Sequence, residues 1–138
     1  MSFLLDTNVI SELMKSRPDP LVLAWAEPHE EACFLSALTV GEIERGIRLL
    51  PIGRKKERLT EAFSAYLRTA AEEHILAFDA TIARCWAALT VRWQLQGRRL
   101  PVLDSMIEAT ALHWNLTLVT RNTSDFVEAQ TLNPWTKT

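Results

Sequence analysis

The sequence predicts a three-layer α/β/α sandwich with a mostly parallel sheet. Short apolar runs of four or five residues alternate with segments of helical periodicity, the pattern of buried parallel strands covered by helices on both faces. The chain has 138 residues and 48% hydrophobic content, enough for one core that buries roughly two-thirds of the unfolded surface. It contains no internal repeat, low-complexity run or long linker, so residues 1–138 are read as a single domain.

The elements follow in order. Ser2 to Leu5 is a strand that ends in Asp6. Thr7 to about Lys15 is a helix with Val9, Ile10, Leu13 and Met14 on one side. Pro18 and Pro20 disfavour helix in the residues before them, and a short helix follows over Leu21–Ala26. Ala32 to Ser36 is the second strand. Thr39 and Glu42 have the T-x-x-E spacing of a capping box, opening a helix with Val40, Ile43, Ile47 and Leu50 inward. Pro51 and Gly53 interrupt it, and a longer helix runs from Arg54 to about Glu72.

Ile75 to Phe78 is the third strand. Asp79 caps a helix carrying Ile82, Trp86, Leu89 and Trp93, which ends before Gly97. Val102 to Trp114 is the next helix, with Leu103, Met106, Ile107 and Ala111 inward. Leu116 to Val119 is the fourth strand, Thr120 to Asp125 a polar turn, and Thr131–Leu132 a short final strand.

Composition excludes several classes. A net charge of -2 gives no global attraction for nucleic acid, so any such binding must rest on local patches. Cys33 and Cys85 are far apart and match no zinc spacing, which fits a reducing, cytoplasmic setting. The first residues lack the basic start of a signal peptide, and no apolar stretch is long enough to span a membrane. His29, His74 and His113 lie in a loop, before a strand and at a helix end, none placed for catalysis. There is no G-x-S-x-G and no glycine-rich phosphate loop among four glycines.

What stands out is the placement of acids. Asp6 follows the first strand, where it would cap a helix or bind a ligand. Glu42 completes the capping-box spacing, and Gly46 one turn later leaves room beside it. Asp104 lies in the first turn of its helix, with Glu108 one turn further on the same face. Asn122 and Asp125 occupy the turn after the fourth strand. In a parallel sheet, strand ends and helix starts meet at one edge. Carboxylates gathered there repel unless a hard divalent cation neutralises them. Such an ion polarises a phosphate oxygen and activates water, so phosphodiester hydrolysis is the natural reaction class. Arg45, Arg48, Arg54, Lys55, Lys56, Arg58, Arg98, Arg99 and Arg121 are either solvated faces or a rim that grips phosphates.

This constellation resembles the PIN-domain family, and within it the VapC/FitB type of bacterial toxin. The matching stretches are Leu5 to Glu12, Leu35 to Glu42 with Gly46, Asp104 to Ala111, and Leu118 to Asn122; Asn133-Pro134-Trp135 is similar to the FitB-like branch. The resemblance implies a Mg²⁺-dependent ribonuclease, with Mn²⁺ able to substitute. It implies neutralisation by a small VapB/FitA-like antitoxin whose C-terminal segment covers the active site, and contact with operator DNA only through that antitoxin. It also implies a homodimer, and Trp25, Trp86 and Trp93 lie on helices that could serve a subunit contact as readily as the core.

Carried over by position, Asp6 and Asp104 match the family's main metal-binding acids, and Glu42 its second acid. Relatives often place Asp directly after the Thr-Arg pair, where this chain has Asn122; Asp125 is expected to compensate. Glu108 replaces a usually small residue and is expected to add an acid to the rim. On this reading Asp6 and Asp104 hold the ion, Glu42 orients or deprotonates the attacking water, and Asn122 and Asp125 order the outer shell. Thr7, Asn8 and Thr120 are expected to donate hydrogen bonds to the phosphate or to metal-bound water, and Arg45 and Arg121 to neutralise the RNA backbone. The alternative is a catalytically silent PIN-like module that binds RNA or a protein, for which Asn122 is the best support.

Overall fold

The computed structural model describes residues 1–137, so Thr138 of the expected domain lies outside the described residues. Five strands form one parallel sheet: β1 (Phe3–Leu5), β2 (Cys33–Ser36), β3 (Ile75–Leu76), β4 (Thr117–Val119) and β5 (Thr131–Leu132). Their order is β3-β2-β1-β4-β5. The helices are α1 (Thr7–Leu13), α2 (Pro20–His29), α3 (Ala37–Arg48), α4 (Arg54–Thr69), α5 (Ala80–Gln94) and α6 (Val102–Trp114).

The alternation of side chains along a strand builds the three layers. On β1, Phe3 and Leu5 point into a cluster with Val9, Ile10, Val22, Ile43, Ile47 and Phe63 from α1 to α4. Leu4, between them, points the other way, to Ile107 and Ala111 of α6. Leu118 and Val119 of β4 divide in the same manner. A third cluster, Ile82, Leu89, Leu100 and Ala109, joins α5 to α6. Trp86 and Trp93 pack against this cluster, and the Trp86 indole donates to Ser105 Oγ at 2.9 Å. Trp25 meets Phe3 edge to face. These tryptophans therefore serve the chain's own core, and the mostly exposed one is Trp114.

Several boundaries differ from the sequence expectation. The helix α2 runs three residues further, through Pro28 in its last turn, where the missing N–H removes only one hydrogen bond. The helix α4 stops at Thr69 because Ala70 turns extended. The strand β3 keeps two residues of the four expected. The start of α3 is a correction: Ser36 is its N-cap, accepting from the Leu38 N–H at 3.1 Å. Thr39 is fully buried, and its hydroxyl has no hydrogen-bond partner. The stripe Thr39, Ile43, Ile47 is spaced by four, so Thr39 belongs to the inner face and not to a cap.

The chain leaves β1 for β2 and β3 on one side, then crosses to β4 and β5 on the other. The topological switch lies between β1 and β4, and ligands of parallel sheets collect outside the strand ends at that point. Asp6 ends β1 and Thr120 ends β4, and the Asp6 N–H donates to the Val119 carbonyl at 2.9 Å.

Candidate active site

At this edge a cavity of about 470 Å³ is lined by Asp6, Glu42, Asp104 and Asp125 from four separate segments. Thr7, Asn8, Asn122, Arg121 and Trp135 complete the wall together with Ser11, Glu12 and Lys15 of α1.

Asp6 has two roles. Its Oδ1 accepts from the Thr7 N–H at 2.9 Å and so caps α1. Its Oδ2 accepts from the Thr120 hydroxyl at 2.8 Å and from Asn8 Nδ2 at 3.4 Å. Burial raises its carboxyl above the usual range; the Thr120 and Thr7 hydrogen bonds oppose that, and the Asp125 charge adds to it. Asp104 is also raised, first by burial and then by the charges of Asp6, Asp125, Glu42 and Glu108. The acids thus share one electrostatic neighbourhood. Glu42 is fixed by the Thr7 hydroxyl, which donates to Oε1 at 2.7 Å, and among the described residues Oε2 has no donor. With Thr39 buried, the capping-box role drops away and Glu42 faces the cavity.

The donor set is hard oxygen throughout. Among the described residues no three acids lie close enough to enclose an ion by themselves. The arrangement fits a hydrated Mg²⁺-like ion, which keeps waters and uses only one or two direct carboxylates. It does not fit a soft or fully caged metal.

The three expected phosphate donors are engaged within the site. Thr120 is 0% exposed. Its hydroxyl donates to Asp6 and accepts from the Asn122 N–H at 3.1 Å, so it positions acids and cannot reach a substrate. Thr7 holds Glu42. Asn8 bridges the two central strand ends, with Oδ1 accepting from the Arg121 N–H at 3.3 Å. Arg45 is exposed on α3 one turn past Glu42 but does not line the cavity. Arg121 does line it. Its guanidinium lies over the Trp135 ring, 5.2 Å from the centroid, and among the described residues forms no salt bridge.

Glu108 is a correction. It is 1% exposed and stands away from the rim. Its carboxylate accepts from the N–H groups of Val127, Glu128 and Ala129 at 2.7 to 3.2 Å. Sequence reasoning also missed Glu12, which is buried and holds the Asp19 N–H at 2.9 Å and Lys15 Nζ at 2.9 Å. Its signal was present: Glu12 follows Asn8 by one helical turn, on the same face.

The PIN domain family matches residues 3–131. The chain belongs to the PIN-domain family. It is 37% identical over 135 residues to toxin FitB of Neisseria gonorrhoeae, covering 96% of this chain and 97% of the relative. It is 36% identical over 134 residues to VapC ribonuclease Y4jK of Sinorhizobium fredii, covering 95% and 96%. Among solved structures it is similar to FitAB bound to an IR36 DNA fragment, with TM-score 0.89 and 34% identity over 99% of this chain and 97% of that one. The PIN fold accounts for the parallel sheet flanked by helices.

Proposed function

We propose that this PIN protein is a Mg²⁺-dependent endoribonuclease, acting as the toxin of a toxin–antitoxin pair. The observation that carries the reading is the convergence of Asp6, Glu42, Asp104 and Asp125 in one cavity beside the Arg121 guanidinium. Asp6 and Asp104 would hold the ion, with Mn²⁺ able to replace Mg²⁺, and Glu42 stands beside them as the third acid. When bound, the ion supplies charge neutralisation of the phosphate and a lower pKa for water. Glu42 Oε2, free of protein donors, takes the proton of the attacking water, while Thr7 keeps the carboxylate oriented. Arg121 grips the RNA phosphate, and Asn122 and Asp125 order the outer shell.

The test is RNA cleavage by the purified chain in Mg²⁺, in Mn²⁺ and in EDTA. The proposal expects cleavage in both metals and none in EDTA; full cleavage in EDTA contradicts it.

The partner is a VapB/FitA-like antitoxin, through which the chain would meet operator DNA. The FitAB likeness supports this, and so does a second groove of about 800 Å³. Leu13, Leu23, Leu35 and Tyr66 give it an apolar floor, and Glu27, Glu30 and Glu31 an acidic rim. The complementary occupant is an apolar antitoxin segment with basic residues. Among the described residues no helix is long and apolar enough to cross a membrane. A homodimer is proposed from the family; Val91 of α5 and Leu95, the residue that caps its C-terminus, are exposed and available for it.

A catalytically silent RNA- or protein-binding module is the second reading. Asn122, uncharged and exposed on the cavity wall, favours it. Calorimetry with Mn²⁺ separates the two, because a silent module binds the ion weakly or not at all.

A further inference from the structure

Glu108 is a buried carboxylate that the proposed chemistry does not use. It sits in the fully buried run Ile107–Ala111 of α6, where an acid requires hydrogen bonds to compensate lost water. Three consecutive backbone donors provide them: Val127 at 2.9 Å, Glu128 at 2.7 Å and Ala129 at 2.8 Å, all to Oε2, with Val127 also reaching Oε1 at 3.2 Å. The segment they belong to follows Asp125 directly. Phe126 is buried in the core. Arg92 of α5 grips the Glu128 side chain through two nitrogens, at 3.1 and 2.6 Å. At the other end, the Asp125 N–H donates to the Asn122 carbonyl at 3.0 Å.

Asp104 is one helical turn from Glu108 on the same helix. One rigid element therefore presents an acid to the cavity and, a turn later, grasps the strap that carries a second acid. We propose that Glu108 is a positioning residue that fixes Asp125 relative to Asp104, and thereby sets the affinity of the acid cavity for a divalent cation. This rests on the metal-site reading above. In a chain where Asn122 supplies no charge, the placement of Asp125 decides how much negative potential the turn contributes. The clamp acts through the backbone, so its effect depends on the reach of the side chain and on its acceptor atoms, not on charge alone.

The experiment is Mn²⁺ titration by calorimetry of the wild type and of Glu108→Gln, Glu108→Asp, Asp125→Asn and the Glu108→Gln/Asp125→Asn double variant, with folding followed by circular dichroism. Glu108→Gln should weaken Mn²⁺ about tenfold, the size usual for losing a group that orients a metal site. Glu108→Asp keeps the charge but shortens the reach, and should be weakened similarly. In the Asp125→Asn background the Glu108→Gln effect should vanish. Equal loss in both backgrounds, or wild-type affinity in Glu108→Asp, makes Glu108 a distant charge and overturns the inference alone. Absence of Mn²⁺ binding in the wild type overturns the metal-site reading and this inference with it. Should the Glu108 variants not fold, amide exchange on the wild type and Asp125→Asn decides. Mn²⁺ should slow exchange at 127–129 in the wild type and leave it unchanged in Asp125→Asn; no slowing in the wild type overturns the inference.

Discussion

The Thr120 hydroxyl donates to Asp6 Oδ2 at 2.8 Å, joining the ends of the two central strands beneath the acid cavity. This contact lies among the influences that set the Asp6 carboxyl: burial raises it, and Thr120 leads the hydrogen bonds that lower it. Thr120→Val removes the donor and leaves the burial. The Asp6 pKa should rise further, and the acid limb of the cleavage profile should move to higher pH. A pH–rate profile checks this; an unmoved limb means that Asp6 does not need to be ionised for cleavage.

A second consequence concerns stability. Asp6 and Asp104 are both raised above the ordinary aspartate value of 3.8 in the folded chain. Below that value both are protonated in the folded and unfolded states, and whatever stability their raised pKa values confer is fully present. It is lost as pH rises through the folded pKa values, because the folded state then loses protons it held more tightly than the unfolded state. The contribution of these two groups should therefore be lost as pH rises from about 4, whereas Glu12 and Glu128, lowered by Lys15 and Arg92, act in the opposite sense. Asp104→Asn removes one of these charges and should raise Tm at pH 7 by about 3 °C. Thermal melts at pH 7 and at about pH 4 test this. The gain should fade at low pH, and adding Mn²⁺ should narrow it by stabilising only the wild type.

A third prediction follows from the pair Arg121 and Trp135. The indole face holds the guanidinium at the cavity wall, where among the described residues it forms no salt bridge. Arg121→Ala should weaken binding of single-stranded RNA and reduce the slope of log affinity against log salt by about one unit. Arg121→Lys should recover only part of it, since an ammonium lacks the planar stacking surface. Trp135→Phe should keep most of the affinity. Fluorescence anisotropy at several salt concentrations measures all three, and an unchanged slope in Arg121→Ala excludes a phosphate contact.

Much of this was legible in the sequence, for physical reasons that differ by element. The strands β1, β2 and β4 are short, mostly apolar runs, and Asp79 and Pro101 mark the starts of α5 and α6. Asp6, Glu42 and Asp104 were found because strand ends and helix starts meet at one edge of a parallel sheet. The start of α3 was misread because Ser36 and Thr39 are both plausible caps. The deciding signal was the four-residue spacing of Thr39, Ile43 and Ile47, which puts Thr39 inside. Glu108 was misplaced for a different reason. A Glu between Ile107 and Ala109 on a buried helix face announces a partner, but its partners are backbone N–H groups about twenty residues away, which leave no mark in side-chain chemistry. Thr120 was assigned to substrate because a hydroxyl at a strand end can face either way; only the pairing of β1 with β4 turns it onto Asp6.

The central claim is that Asp6 and Asp104 together make the cavity a metal-dependent nuclease site. The most direct measurement is cleavage of a single-stranded RNA in Mg²⁺ by the wild type, Asp6→Asn and Asp104→Asn, each with circular dichroism to confirm an unchanged fold. Both variants should lose cleavage by at least about a hundredfold while remaining folded and bound by the antitoxin. Wild-type cleavage by either folded variant would contradict the claim.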